Sequence, residues 1–151
     1  NLAPGDGCSP TCTLEPMTDT DTCPGHAVAL TGAGATTTRT KVISLSTTSL
    51  TSSYGGTCGG TGRDGVVAVT SDIAGTMTAQ LTASWATTLY ARTSCADASS
   101  ELGCKAYDPA KPSETTREIT LPVQPGIPTY FFVDGIGSAS GAATLNLTVT
   151  P

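Results

Sequence analysis

Few side chains in this sequence are equipped for chemistry: one imidazole at His26, six cysteines, and aspartates spread from Asp6 to Asp134. A Ser-His-Asp hydrolase would have to use His26, yet no G-x-S-x-G elbow accompanies it, and it lies beside Cys23 where a strand pattern begins. No catalytic residue is assigned, and the chain is read as a non-enzyme. Asp64 and Asp134 could act as an acid and base pair if two strands brought them together. Each precedes a glycine, however, and an Asp-Gly step predicts a turn in which the carboxylate bonds nearby backbone N–H groups. Oxygen ligands for calcium could gather from Asp6, Asp19, Asp21, Asp64, Asp72 or Asp134, although none has EF-hand spacing. Asp64 and Asp134 are the candidates for a structural calcium, and no other cofactor is expected. Trp85, Tyr90, Tyr130, Phe131 and Phe132 could form a platform for carbohydrate or peptide if exposed, but with aromatics at 5% of the chain most are expected in the core. Trp85, Tyr90 and Tyr107 are the candidate binding residues.

The cysteines need a different explanation. Cys8, Cys12, Cys23, Cys58, Cys95 and Cys104 are even in number and contain no C-x-x-C, and one histidine is too few for the usual zinc sets. Disulfides are expected, and with them an oxidising, extracellular or cell-surface location. The pairing read from spacing is Cys95 with Cys104, closing a polar loop, and Cys23 with Cys58, tying the amino-terminal segment to the body. Cys8 and Cys12 are left for each other.

These groups must be positioned by extended segments. Charged residues are 13% of the 151 positions, about half the usual share. Thr, Ser, Gly and Ala supply the polar surface, which disfavours helix and suits the wet side of a pleated sheet. Period-two alternation between turn signals predicts strands at 26–31, 40–46, 65–71, 76–83, 87–93, 117–123, 129–135 and 142–149. In the last, Ala143, Leu145, Leu147 and Val149 oppose Thr144, Asn146, Thr148 and Thr150. About eight antiparallel strands of this length predict an all-β, two-sheet, jelly-roll-like sandwich over residues 26–151, preceded by an irregular Cys-containing arm at 1–25. Gly-rich 51–62 lacks G-K-[ST] and reads as a loop anchored by Cys58, and 96–116 reads as a long polar loop with a contact role. Asn146 heads a glycosylation sequon within a strand, and the Thr-rich outward faces are read as β-propensity.

The formal charge is −5 and the basic residues are scattered, so neither nucleic acid nor an anionic membrane is an expected partner. No apolar run approaches the ~20 residues of a membrane span, and no signal peptide is seen. A start at Asn1 reads as a processed form or a piece of a longer precursor.

Several motifs, in order, resemble the pre-peptidase C-terminal domain family in the version common on secreted myxobacterial proteins. They are Cys23-Pro24-Gly25, the Cys58 to Asp64 stretch before GVVAV, Trp85 with Leu89, Tyr90 and Arg92, the Cys95 to Cys104 loop, and the YFFVDG strand at 130–135. Residues 5–16 are similar to the closing half of the Myxococcus cysteine-rich repeat. The resemblance implies a non-catalytic β-sandwich appended to secreted enzymes or surface proteins, with relatives that bind collagen or polysaccharide and sometimes calcium. The chain departs from it at Ala86, where relatives carry Asp, and at Ala68, where they carry an aromatic.

The function expected is a structural or adhesive extracellular module. An arm with too few apolar residues to hold itself down would, if ordered, have to offset roughly 1–2 kcal/mol of backbone entropy per residue. Docking it as an added strand on a neighbouring copy would do so and would give a homo-oligomer or filament. The alternative is an accessory binding domain of a secreted protein or hydrolase, recognising collagen, another protein or polysaccharide.

Overall fold

A computed structural model describes residues 20–151. Nine strands form two sheets: β1 (His26–Leu30), β2 (Arg39–Ser46), β3 (Asp64–Ser71), β4 (Gly75–Thr82), β5 (Thr87–Arg92), β6 (Glu101–Ala106), β7 (Thr116–Val123), β8 (Thr129–Gly135) and β9 (Ala142–Thr150). One sheet has the order β1-β3-β8-β5-β6 and the other β2-β9-β4-β7. The alternating segments became strands within a residue of their expected ends, because each has one apolar side to bury. Leu145, Leu147 and Val149 meet Met77, Ala79 and Leu81 on the inner side of the four-stranded sheet, and all six are fully or almost fully buried. Leu89, Phe131, Val133 and Val69 face them from the other layer.

Two features depart from the expected pattern. β1 runs parallel to β3, with Val28 opposite Val69, so the sandwich is not wholly antiparallel. The 96–116 stretch is no continuous loop: it holds a 3-10 turn at Ala98–Ser100 and strand β6, which pairs with β5 at the sheet edge. β6 escaped the sequence pattern because none of its residues is fully buried, so neither side has to be apolar; Leu102 there is 48% exposed.

The outer side of the four-stranded sheet shows how the chain manages with so little charge. Register places Thr40, Thr148, Thr78 and Thr120 in one row across all four strands. Thr78 and Thr120 exchange a hydroxyl hydrogen bond, and in the next row Gln80 donates to Glu118.

The five-stranded sheet is covered on its outer side too. The 47–62 loop lies over it, fastened along its length. Asp64 N donates to Thr51 O, Gly62 N donates to Gly135 O, and Arg92 Nη2 donates to Gly55 O. Thr57 bonds the Glu101 carboxylate through both its amide and its hydroxyl. The loop is therefore anchored by Cys58 as expected, but through Cys104. Residues 20–25 join the same cover, with Val66 N donating to Thr20 O and Cys23 bonded to Cys95.

Both bonds correct the pairing expected from spacing. β6 returns alongside β5 so that Cys104 stands opposite Tyr90, five residues back from Cys95 along the chain. A disulfide needs its Cα atoms within about 7 Å, and the strand pairing moves the two apart. Cys8 and Cys12 lie outside the described residues.

Candidate functional site

Beneath the 47–62 loop, the outer side of the five-stranded sheet carries a buried polar row. Asp64 on β3 is paired in register with Asp134 on β8, and Asp134 with Thr88 on β5; all three are 0% exposed. The two aspartates are thus strand residues facing one another, not the separate turn residues that their Asp-Gly steps predict. Asp64 Oδ2 accepts from the amides of Ser53 (3.1 Å) and Tyr54 (2.5 Å), and Asp134 Oδ2 accepts from the Tyr90 hydroxyl at 3.4 Å. Asp64 Oδ1, Asp134 Oδ1 and Thr88 Oγ1 are buried without a hydrogen-bond partner. Gly60, at φ +91°, closes the row from above, and a Cβ there would strike Asp134 Oδ2.

Burial pushes the Asp64 carboxyl up to about 6, with the neighbouring Asp21 charge adding to the effect. Asp134 rises to about 7 through burial and then through the Asp64 charge. Burial also raises the Tyr90 hydroxyl, with both carboxylates adding to it. Two carboxylates paired in register away from water cannot both ionise cheaply, so the row retains protons toward neutral pH. A calcium ion takes six to eight oxygens, and the row offers two carboxylates and one hydroxyl. Among the described residues no three His, Cys, Asp or Glu side chains converge. Acid-base work on a substrate needs access, which the overlying glycines deny.

Next to this row, Arg92 is 2% exposed and its guanidinium lies 4.7 Å from the Phe132 ring centroid, 5.1 Å from Tyr90 and 5.9 Å from Tyr54. Tyr90 and Phe132 stack at 4.7 Å, nearly parallel. Tyr90, a candidate binding residue, is fully buried and is corrected to a core role; Phe131 and Phe132 are core as well.

The other two aromatic candidates meet at the surface. Trp85, in the β4–β5 turn, and Tyr107, just after β6, line one notch of about 100 Å³ with Ser84, Pro112, Glu114 and Thr115. The Trp85 indole N–H donates to Ala142 O at 2.8 Å, and a Cβ on Gly141 would fall 2.8 Å from the indole, so only glycine lets the ring lie there. Tyr107 N donates to Thr87 O, and the Arg117 guanidinium sits 5.3 Å from the Tyr107 ring centroid. Arg117, 2% exposed, also donates to the carbonyls of Glu114 and Thr116, which holds the β6–β7 loop in place.

Thr88, Glu114 and Arg117 were not singled out from sequence, and Arg92 was named only as part of a motif carrying the resemblance. Arg92 and Arg117 carry one signal in retrospect: each alternates in phase with a strand's covered residues, and an arginine in that phase is a buried arginine.

Among solved structures the chain has a clear likeness. The sandwich superposes on the pre-peptidase C-terminal domain of a collagenase from Bacillus anthracis with a TM-score of 0.53, covering 84% of this chain and 99% of that one at 12% identity. The chain shares the pre-peptidase C-terminal fold. No family model matches the sequence, and neither does any curated protein. At 12% identity the pre-peptidase C-terminal likeness is one of architecture, and it leaves the notch and the buried row to be read from their own chemistry.

Proposed function

We propose that this chain is a non-catalytic accessory module of a secreted protein, one that holds its owner to an extracellular polymer. The observation that carries the reading is the fold likeness over nearly the whole of a domain that, in its own protein, accompanies a collagenase. Two disulfides support an extracellular setting, and no helix among the described residues is long and apolar enough to cross a membrane. The motifs from Cys23 to Gly135 support the finer reading of a myxobacterial secreted variant. Retention on insoluble polymers tests the proposal. Wild-type chain is expected to co-sediment with at least one of cellulose, chitin, starch granules or fibrillar collagen, and to remain in the supernatant without polymer. Co-sedimentation with none would overturn it.

Self-assembly into a filament is a second reading, supported by the eight-residue edge strand β2, where Val42 is 64% exposed. An added strand from a neighbouring copy would cover that edge. Size-exclusion chromatography is expected to show concentration-dependent assembly on this reading, and a strict monomer would remove it.

A further inference from the structure

We propose that the bond between Cys58 and Cys104 is an exchangeable disulfide, a redox latch through which an external thiol opens the tip of the 47–62 loop over the Asp64 and Asp134 row. The device is independent of the accessory-module reading and of what such a module holds. Residues 56–59 form a tight turn in which Gly56 N donates to Gly59 O at 3.0 Å and Gly59 N to Gly56 O at 3.2 Å. Thr57 and Cys58 stand at its apex, both exposed. Cys104 lies behind the turn, half-buried against the Tyr90 and Phe132 cluster. A Cβ on Gly56 would fall 2.8 Å from Cys104 Sγ and 2.7 Å from the Tyr90 ring, so bare backbone screens that sulfur. A thiolate arriving from solvent meets Cys58 first.

The leaving group is prepared as well. Cys58 N donates to Cys104 Sγ at 3.1 Å. A disulfide sulfur accepts such a bond weakly and a thiolate accepts it strongly, so the contact strengthens as charge develops on Cys104. A thiol whose thiolate is stabilised has a lower pKa and leaves faster. The incoming thiolate bonds to Cys58 Sγ while the bond to Cys104 breaks and its electron pair departs on Cys104. With a dithiol, the second thiolate then displaces Cys58. The dithiol is oxidised by two electrons to a cyclic disulfide, and its two protons pass to Cys58 and Cys104, which end as thiols. The other disulfide is less open, since Cys95 is 8% exposed and the Cys23 amide is tied to the Tyr54 hydroxyl.

Opening is local because the flanks of the loop keep their own ties. Ser53 and Tyr54 hold Asp64, Arg92 holds Gly55 O, and Gly62 holds Gly135 O. Between those flanks Gly60 closes over Asp134, so a freed tip admits water to that carboxyl and to Tyr90. The Glu101 carboxylate sits beside the apex, bonded to Thr57, in a chain of charge −5. The latch therefore favours a cationic or uncharged thiol over an anionic one.

The native full chain is treated with dithiothreitol, cysteamine or 2-mercaptoethanesulfonate, quenched with iodoacetamide and mapped. The Cys58 to Cys104 bond is expected to open at least about tenfold faster than the Cys23 to Cys95 bond. At equal thiolate concentration cysteamine should outpace mercaptoethanesulfonate, and Glu101→Gln, which keeps an oxygen for Thr57, should narrow that gap. The monothiol should be found on Cys58 and the carbamidomethyl group on Cys104. After dithiothreitol, amides 57–62 should lose hydrogen-exchange protection while the far-ultraviolet circular dichroism keeps its β signal. Equal rates for the two disulfides, a monothiol carried by Cys104, or loop amides that stay protected would each overturn the latch.

Discussion

Asp64 and Asp134 make folding depend on pH in an unusual direction. Their carboxyls ionise at about 6 and about 7 in the folded chain, against 3.8 for an ordinary aspartate. Between those values the unfolded chain gives up protons that the native row retains, and native stability falls as pH rises. The contribution is complete below pH 4 and is lost by about pH 7. The groups facing the row are Tyr90, which donates to Asp134, Asp21, whose charge raises Asp64 further, and Arg92 over the adjoining rings. Asp21, Asp72 and Asp97 have lowered carboxyls and act oppositely below pH 4. Asn at 134 keeps the shape of a protonated Asp and removes the charge. Asp134→Asn is expected to raise the urea midpoint at pH 8 and to flatten its decline between pH 4 and 7. A wild-type midpoint that climbs across that interval would contradict the raised carboxyls.

At the scale of elements, arginines tie loops to strands. Arg39 opens β2 with a side chain 3% exposed and 2.7 Å from Asp72 in the β3–β4 turn. It also donates to the carbonyls of Thr37, Gly32 and Gly34, so one guanidinium secures both the β1–β2 loop and the next turn. Its Asp72 partner is held below the usual carboxylate range by that bond and by the Gly32 amide. Arg39→Met would keep the packing of the stem but leave three loop carbonyls without a donor. A loss of about 2–3 kcal/mol is expected, measured by urea unfolding, with β1 amides losing hydrogen-exchange protection first. An effect near zero would mean that water replaces the guanidinium without penalty.

At the scale of the molecule, the two disulfides among the described residues act on the cover over the five-stranded sheet more than on the core between the sheets. They span 72 and 46 residues of sequence, and the loop-entropy estimate gives each about 4 kcal/mol. Replacing Cys58 and Cys104 together with Ser is expected to lower Tm by on the order of 10 °C. It should also open the 47–62 loop to protease, because Tyr90 and Phe132 would lose their lid. The sandwich itself should survive, read as an unchanged β signal in far-ultraviolet circular dichroism. Peptide mapping without reductant should recover Cys23 with Cys95 and Cys58 with Cys104; recovery of Cys95 with Cys104 would refute the β5–β6 arrangement.

Local alternation of polarity was enough to place eight of the nine strands, since the side a residue faces is decided by its own parity along the chain. In β9 it separated Leu145, Leu147 and Val149 from Thr144, Asn146 and Thr148 with no knowledge of the partner sheet. Sequence also carried the six cysteines and their need for an oxidising setting. It could not say which strands lie side by side, and every feature that depends on adjacency was settled by the tertiary structure. The disulfide partners, the meeting of Asp64 with Asp134, the burial of Tyr90 and the pairing of Trp85 with Tyr107 across a notch all belong to that second group. The physical reason is that strand order minimises exposed apolar area over the whole chain at once, so a neighbour is chosen by residues far away in sequence.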